Sequence, residues 1–452
     1  MNIIVVGCGM VGYSLVEQLS QENHDIVVID EDESKVRYIT DEYDAMGVVG
    51  SGEDCKVLVE AGIEHTDLLI AVTEVDEKNL LCCIMAKRFE NCRTIARVRN
   101  PVYSAETGFL RHELGLSMII NPEQIAANEI ARIIQYPEDI KVDTFTRGRI
   151  ELLNFQISKD SALCDQTLKS IRSRVKCNFL ICLVTRDDDA FIPTLDTVFQ
   201  EGDSLVLVAL PSDANQFFIR SGFEKDPVQS VMIVGGGITG YYLAKRLANI
   251  GISTKIIEQD EKRCDELSDL LPDAMIIRGD ATDERLLMQE GIGVVDAFAA
   301  LTGLDEENVF LSLYAKNVSH GQTVTKINRI NYTEVINKMD LDSVVFPRTL
   351  TADYIVKYAR SMMSGISSNV ENIFRLENGK AEAFEFFVSE PSIVTNTPIS
   401  KLRLKGDLII CSITRNSRVI IPTGHDEIRV GDAVIVITTR SFFSDIKDIV
   451  RR

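Results

Sequence analysis

Two uninterrupted apolar stretches, one at the start of the chain and one near its middle, run directly into glycine-rich turns. They are residues 3–6 (IIVV) and 231–234 (VMIV). Each is followed by three glycines at the same spacing: Gly7, Gly9 and Gly12 in the first, Gly235, Gly237 and Gly240 in the second. Apolar residues at helical spacing come next in both places. The pattern predicts, twice, a buried strand that enters a tight turn and opens a helix.

Apolar runs and amphipathic segments alternate after the first turn. They predict strands over 3–6, 26–30, 46–49, 68–72 and 94–98, and helices over 11–22, 34–44, 54–61 and 79–88. Runs this continuous suit parallel strands that are covered by helices on both faces. We therefore expect an α/β fold that contains a doubly wound Rossmann-type domain.

The second half of the chain repeats the first at an almost constant spacing. After a one-residue shift, the equivalent pairs share one offset: Gly50 and Gly279, Asp67 and Asp296, Thr73 and Thr302, Asn79 and Asn308, Cys182 and Cys411, Gly202 and Gly431. Matches that keep one spacing over most of the chain indicate an internal duplication.

Each copy continues beyond its Rossmann-type part. A helical segment over 122–136, or about 350–363 in the second copy, leads into a small strand-rich α+β unit. Its strands are predicted over 152–157, 179–186, 191–193 and 203–209, and over 383–388, 408–414, 419–422 and 432–438. We predict four domains: Rossmann-type domains with connecting helices at 1–140 and 228–368, and small domains at 141–227 and 369–452.

Composition narrows the class of protein. The chain has 452 residues, 45% hydrophobic and 26% charged, as ordinary globular domains do. Its net charge of −20 repels nucleic acid and anionic lipid, so we expect neither as a partner. No apolar run approaches the roughly 18 residues of a transmembrane helix, and no signal peptide is recognisable. The ten cysteines form no CxxC or Cys/His cluster, which is typical of free thiols in the cytoplasm. Any contact with a membrane is therefore expected through a protein partner, without lipid insertion.

The glycine turns predict nucleotide sites. Gly7 permits the tight turn, Gly9 lets a pyrophosphate approach the backbone, and Gly12 lets the helix pack close to the strand. Phosphate would then lie at the helix N-terminus. The turn residues predicted to bind are Gly7, Cys8, Gly9, Met10, Val11 and Gly12, and Gly235, Gly236, Gly237, Ile238, Thr239 and Gly240. The alternative is a turn that binds no nucleotide, and this alternative has more weight in the second copy than in the first.

An acidic residue ends the strand that follows each turn. Asp30 and Glu258 can accept hydrogen bonds from ribose hydroxyls and would repel a 2′-phosphate. NAD or an adenosine nucleotide is therefore favoured over NADP. Further candidate contacts lie at the same edge of the predicted sheets: Glu31, Ser51, Gly52 and Thr73 in the first copy, and Asp280, Ala281 and Thr302 in the second. For the repeated T-x-x-D-E-x-N segment, helix N-capping by Asp76 or Asp305 is an alternative explanation.

Basic residues distinguish the two copies. Arg97 and Arg99 stand at i and i+2 of a strand pattern, so they share a face and can point together toward a phosphate or a neighbouring subunit. Arg37 is a third candidate. The second copy carries Asp265, Lys326 and Asn328 at the positions of Arg37, Arg97 and Arg99. We expect the first copy to take a dinucleotide or triphosphate, and the second to take a less charged ligand or mainly to build the assembly. Arginines that are merely solvated or paired with surface acids are the alternative.

With these motifs the chain resembles the TrkA family over essentially its whole length. Its first copy departs from the family's GDAT loop at Gly50-Ser51-Gly52-Glu53. Members of the family are cytosolic nucleotide-binding regulators of Trk potassium-uptake systems, built from tandem RCK (regulator of potassium conductance) modules. The resemblance implies NAD(H), ATP or ADP as ligands and a homo-oligomer, a tetrameric RCK ring. It also implies a Trk-type membrane potassium-translocating subunit as partner, with the protein peripheral on the cytosolic face.

Two other functions compete with a potassium-transport regulator. An NAD-dependent oxidoreductase needs an acid or base at the nicotinamide and a domain that holds the substrate. The five histidines fall at non-equivalent places outside any recognisable catalytic arrangement, and the small units are too short for a substrate pocket. We therefore predict no catalytic residues, no metal site and no enzyme. A nucleotide sensor for a different membrane transporter is the other alternative.

Overall fold

The computed structural model divides the protein into two compact units. It describes residues 1–22, 24–89, 92–105, 108, 110, 113–136, 140–145, 150–159, 161–187, 189–221, 228–329, 336, 338–363, 370–376, 380–416, 418–439, 443 and 445–451. One unit comprises Met1–Ala131, Gln229–Ala248 and Ile252–Met363, and the other comprises Arg132–Val228, Asn249–Gly251 and Ser364–Arg452. The predicted domain boundaries at 227, 368 and 369 lie outside the described residues.

The first sheet has six parallel strands in the order β3-β2-β1-β4-β5-β6. The strands are β1 (Asn2–Val6), β2 (Asp25–Asp30), β3 (Met46–Val49), β4 (Leu68–Ala71), β5 (Arg93–Arg97) and β6 (Met118–Ile120). The helices are α1 (Met10–Ser20), α2 (Glu33–Glu42), α3 (Cys55–Glu60), α4 (Asp76–Ala86), α5 (Pro101–Ala105) and α6 (Pro122–Gln135). The central strands β1 and β4 are buried almost completely, as their continuous apolar sequences require. The predicted doubly wound fold is confirmed.

The second sheet has five antiparallel strands in the order β10-β9-β11-β8-β7. These are β7 (Lys141–Phe145), β8 (Ile150–Gln156), β9 (Phe179–Arg186), β10 (Asp189–Phe191) and β11 (Ser204–Ala209), with helices α7 (Leu168–Arg174) and α8 (Pro211–Arg220). The prediction placed β10 about two residues too late, over 191–193. Pro193 has no N–H to donate to a ladder, so the strand ends before it.

The third sheet repeats the first, with the strand order β14-β13-β12-β15-β16-β17. Its strands are β12 (Ser230–Val234), β13 (Ser253–Glu258), β14 (Ala274–Arg278), β15 (Ala297–Ala300), β16 (Gln322–Lys326) and β17 (Ser343–Val345). Its helices are α9 (Ile238–Asn249), α10 (Glu261–Leu270), α11 (Glu284–Gln289), α12 (Asp305–Val318) and α13 (Pro347–Met363).

The fourth sheet repeats the second. Its order is β18-β19-β22-β20-β21, formed by β18 (Val370–Leu376), β19 (Ala381–Phe387), β20 (Leu408–Arg415), β21 (Arg418–Ile420) and β22 (Ala433–Thr438). Strands β6, β7, β17 and β18 were absent from the predicted set. The duplication inferred from the sequence is thus present in the topology of both pairs of sheets.

In the first unit, the connecting helix of the second copy completes the core of the first copy. Ala352, Ile355, Val356 and Ala359 of α13 are buried in one cluster with apolar residues of β1, α1 and β2. At the edge of this contact, Gln18 of α1 donates a hydrogen bond to Asp353 over 2.8 Å. The two Rossmann-type copies are therefore held together by apolar packing within one chain.

In the second unit, equivalent residues of the two small domains meet in a shared cluster. The sulfur atoms of Cys182 and Cys411 lie 3.2 Å apart there, and both thiols are fully buried. Each cysteine occupies the point at which the pairing of its strand shifts register. All ten cysteines are free in this structure. Among the described residues, no helix is both long enough and apolar enough to span a bilayer.

Candidate nucleotide-binding crevices

Two glycines of the first turn are required by the packing of the backbone, whether or not a ligand binds. Gly7 has φ +104, and a Cβ atom there would lie 2.8 Å from the backbone nitrogen of Thr73. A Cβ on Gly12 would lie 1.9 Å from the carbonyl oxygen of Gly7. The strand, the turn and the helix pack so closely that no side chain fits at either position.

Gly9 differs from its two neighbours. Apart from Gly9 itself and its two chain neighbours, no heavy atom in the described part of the chain lies within 4 Å of a Cβ placed on Gly9, and its φ of −73 is open to any residue. Gly9 is the N-cap of α1, where no described side chain caps the helix and the first turn holds no acid. The first N–H groups of α1 therefore face open space in front of Gly9, an arrangement that suits phosphate.

Asp30 is fixed beside the turn by two backbone amides. The N–H of Cys8 donates to its Oδ2 over 2.7 Å, and the N–H of Asp32 donates to its Oδ1 over 2.9 Å. Each carboxylate oxygen keeps further acceptor capacity for a ribose hydroxyl. Burial, and then the Asp30 charge, raises the pKa of the Cys8 thiol to about 12, so Cys8 adds no negative charge to the turn.

The loop after β3 contributes one packing residue and one polar residue. A Cβ on Gly52 would lie 2.4 Å from a methyl carbon of Val6, so glycine is needed there for contact with β1. Ser51 donates a hydrogen bond to Glu53 over 3.2 Å. Glu31, which follows Asp30, pairs with Lys78 of α4 with 3.0 Å between Oε1 and Nζ. Lys78 was missing from the predicted site, and its only sequence signal is the difference between DEKN at 76–79 and DEEN at 305–308.

The polar segment after β4, which is repeated in the second copy, mainly holds neighbouring strand ends together. Asn79 is fully buried and accepts a hydrogen bond from the N–H of Thr73 over 2.8 Å. Its amide donates to the carbonyls of Thr73 and Arg97 over 3.0 and 2.9 Å, which joins the ends of β4 and β5. The N-capping explanation for Asp76 is wrong. Its Oδ2 accepts the N–H groups of Arg99 and Asn100, both over 2.8 Å, while Val75 is the N-cap of α4.

Arg97 and Arg99 converge on one carboxylate. Their guanidinium nitrogens lie 3.8 and 4.0 Å from the same oxygen of Glu123, in the first turn of α6. Arg99 also donates to the carbonyl of Glu74. Burial lowers the pKa of Arg97, and the Glu123 charge opposes that shift. No contact in the described residues ties the exposed Arg37 of α2 to this group.

The second crevice has the same backbone construction. Gly235 has φ +102, a Cβ on Gly240 would lie 2.2 Å from the Gly235 carbonyl oxygen, and Gly237 is open. Glu258 accepts the N–H groups of Gly236 and Asp260 over 2.8 and 2.9 Å, as Asp30 does in the first copy. The remaining turn residues are placed alike: Met10 and Ile238 begin α1 and α9, and Val11 and Thr239 are buried behind them.

The scaffold around the second turn is also repeated. Asn308 accepts the N–H of Thr302 over 2.8 Å and donates to the carbonyl of Lys326 over 3.0 Å. Asp305 accepts the N–H groups of Asn328 and Arg329, both over 2.8 Å, so it also is no N-cap.

The side chains that line the second crevice differ. Lys326 donates to the carbonyl of Leu301 over 3.0 Å, and its burial lowers its pKa. Arg263 of α10, absent from the predicted site, donates to the carbonyl of Gly236 over 2.7 Å. Asp280 accepts from the hydroxyl of Thr282 over 2.8 Å, and Ala281 is buried in the apolar core.

Family comparisons match both Rossmann-type copies and both small domains. Residues 3–122 and 231–347 match the TrkA-N domain, and residues 152–218 and 383–450 match the TrkA-C domain. A "Trk system potassium uptake protein TrkA homolog" from Archaeoglobus fulgidus is 32% identical over 451 residues, which covers 100% of both chains. The "Trk system potassium uptake protein TrkA" of Haemophilus influenzae is 31% identical, over 99% of this chain and 97% of its own. These names are not those of enzymes, in agreement with the prediction of a non-enzymatic protein.

Solved structures share the fold. The "GsuK channel bound to NAD" superposes with a TM-score of 0.61 at 21% identity and covers 97% of this chain and 76% of its own. The "GsuK RCK domain" gives a TM-score of 0.60 at 20% identity, over 96% of this chain and 92% of its own. The predicted resemblance is thus confirmed by the tandem domain matches and by relatives of equal length. The chain belongs to the TrkA family of Trk-system potassium uptake proteins.

Proposed function

We propose that this chain is the nucleotide-binding regulatory subunit of a potassium-uptake system. The observation that carries the proposal is the pairing of an open glycine with a fixed acid in each crevice. Gly9 and Gly237 leave room in front of an exposed helix N-terminus, and Asp30 and Glu258 stand beside it. This combination supplies a phosphate site and a ribose site at the carboxyl edge of a parallel sheet.

The ligands that fit are NAD(H), ATP or ADP. Both crevices present a carboxylate where a 2′-phosphate would lie, which disfavours NADP. Solved structures titled "GsuK channel bound to NAD" and "GsuK bound to ADP" have the same fold, at TM-scores of 0.61 and 0.51. Those titles describe GsuK. For this chain they indicate NAD and ADP as the first nucleotides to test.

The predicted residues take the following roles in the proposal. The turn residues Gly7 to Gly12 and Gly235 to Gly240 hold the phosphates, and Asp30 and Glu258 hold the ribose. The flanking candidates are Glu31, Arg37, Ser51, Gly52, Thr73, Arg97, Arg99, Asp280, Ala281, Thr302 and Lys326. Gly52 and Ala281 act through packing beneath the site, since both are buried.

The proposed assembly is a tetrameric ring of RCK modules beneath a Trk-type membrane potassium-translocating subunit, on its cytosolic face. The four predicted domains, 1–140, 141–227, 228–368 and 369–452, supply two RCK modules per chain. A nucleotide that binds one ring conformation more tightly than another shifts the ring toward that conformation. The shift would bias the gate of the membrane subunit.

Calorimetric titration of the full chain with NADH, NAD, ATP and ADP tests the proposal directly, because it reports both the ligand and the number of sites. Gly9→Asp and Asp30→Ala should each weaken binding in the first crevice and make potassium uptake insensitive to nucleotide. Since Gly9 faces open space, Gly9→Asp should leave the melting temperature nearly unchanged. An unaltered nucleotide response of uptake in both variants, measured with the membrane subunit present, would refute the proposal.

A further inference from the structure

The first turns of α4 and α12 carry a charge reversal inside an otherwise repeated segment. Residues 76–79 read DEKN and residues 305–308 read DEEN, so Lys78 is replaced by Glu307. The flanking residues Asp76 and Asn79 bind backbone in the same way as Asp305 and Asn308. The two side chains therefore start from equivalent points at the edge of the two crevices.

Lys78 forms an ion pair across the first crevice. Its Nζ lies 3.0 Å from Oε1 of Glu31, which directly follows the ribose-site residue Asp30. Both side chains remain accessible, with 38% of Lys78 and 61% of Glu31 exposed. The hydrogen bond and charge of Lys78 lower the pKa of Glu31, and Glu31 raises the pKa of Lys78. An accessible cation thus stands beside the acid at the mouth of this crevice.

The second crevice has no such pair at these positions. Gln259 replaces Glu31, and Glu307 replaces Lys78. Burial, and then the charge of Asp280, raises the pKa of Glu307. Asp280 itself follows β14, in the loop equivalent to Ser51 in the first copy. The second crevice therefore has two carboxylates, Glu307 and Asp280, at the positions that Lys78 and Ser51 occupy in the first crevice.

We propose that Lys78 and Glu307 determine how much negative charge each crevice accepts, so that the first favours ATP and ADP and the second favours AMP. The inference rests on the proposed nucleotide function. It assigns the discrimination between nucleotides to one equivalent position in the two copies, occupied by Lys78 in the first and Glu307 in the second. A unit charge about 10 Å from another in water-like surroundings changes an equilibrium about twofold. The substitution Lys78→Glu changes the charge at this position by two units, and ATP carries two more negative charges than AMP. The ATP to AMP affinity ratio should thus fall about tenfold at low ionic strength and about threefold near physiological salt.

The test is a reciprocal charge swap in the full chain. Lys78→Glu is combined with Glu258→Ala, so that only the first crevice is intact, and Glu307→Lys is combined with Asp30→Ala. Each chain is titrated with magnesium-free AMP, ADP and ATP. We expect Lys78→Glu to flatten or invert the preference for ATP, and Glu307→Lys to create one in the second crevice. Both effects should shrink as salt is added, which a purely structural role of Lys78 would not produce.

Lys87→Glu is the matched control. Lys87 is exposed at the opposite end of the same helix, so the substitution changes the net charge equally but away from the crevice. It should leave the ATP to AMP ratio within about twofold of its starting value. If Lys78→Glu behaves like Lys87→Glu while the chains still bind nucleotide, the inference is overturned and the proposed function survives. If the unmodified chain binds neither these three nucleotides nor NAD(H), both are overturned.

Discussion

The two Rossmann-type copies share their backbone hydrogen bonds and differ in the charges that face the crevice. Asp30 and Glu258 accept equivalent amides although their side chains differ in length. Asn79 and Asn308 join equivalent strand ends. Lys78 and Glu307, in contrast, stand at equivalent points with opposite charge. The duplication has therefore kept what builds the crevice, and the differences lie where a ligand would be discriminated.

The largest expected effect tests whether the two turns are equally essential. Gly12→Ala and Gly240→Ala place a Cβ about 2 Å from a rigid carbonyl oxygen in the respective turn. Because neither neighbour is a flexible side chain, we expect each substitution to lower the free energy of unfolding by about 3 kcal/mol. Urea unfolding followed by circular dichroism measures the loss.

Gly9→Ala and Gly237→Ala serve as the controls for that comparison. Both Cβ atoms enter open space, so the free energy of unfolding should change by less than about 0.5 kcal/mol. Nucleotide affinity should fall instead, since the methyl group occupies the place of a phosphate. Equal losses of stability at Gly9 and Gly12 would show that the turn is not built as described.

The next prediction tests whether the buried asparagine after the fourth strand has the same structural role in both copies. Asn79→Ala and Asn308→Ala remove a buried amide and leave backbone groups of Thr73 and Arg97, or of Thr302 and Lys326, without partners. We expect each to reduce the free energy of unfolding by about 2 kcal/mol. If only one of the two substitutions lowers the free energy of unfolding, the two asparagines do not share a structural role. The asparagine whose loss leaves stability unchanged would then be assigned to ligand contact.

A smaller effect separates the ribose sites. Asp30→Asn and Glu258→Gln keep the size of each side chain but remove its charge, and a hydrogen bond to a charged group contributes about 1.5–3 kcal/mol. If both crevices are occupied, each substitution should weaken one of two binding steps at least about tenfold in calorimetry. If Glu258→Gln leaves every binding step unchanged, the second crevice serves only to build the assembly.

Residues that act locally were predictable from the sequence. The positive φ at Gly7 and Gly235, the buried strands and the acids beside the turns follow from glycine spacing and apolar runs. The three-residue strands β6 and β17 are too short to show a period, so the pattern could not reveal them. Capping of α4 by Asp76 was an alternative explanation for the polar segment, because an acid at a helix start often caps it. Its carboxylate turns instead to backbone amides of residues 99 and 100, a contact that depends on how β5 ends.

Long-range side-chain partners were beyond the sequence. Lys78 and Glu31 are 47 residues apart, and nothing in their local patterns links them. The convergence of Arg97 and Arg99 on Glu123 depends likewise on where α6 begins relative to β5. The i, i+2 spacing indicated that the two arginines share one face. It could not identify the carboxylate that both of them approach.

The smallest expected effect uses pH to separate the two crevices. The raised pKa of Glu307 means that its carboxylate gains a proton earlier than an ordinary glutamate as the pH falls. The lowered pKa of Glu31 keeps that carboxylate charged over the same range. As the pH falls toward the ordinary titration range of a glutamate, the second crevice should therefore lose negative charge before the first and bind NAD more tightly, while the affinity of the first should change little. NAD suits the titration because its diphosphate holds a constant charge in this range. Glu307→Gln should remove the pH dependence and fix the higher affinity, and a pH dependence that persists in this variant would show that another group titrates there.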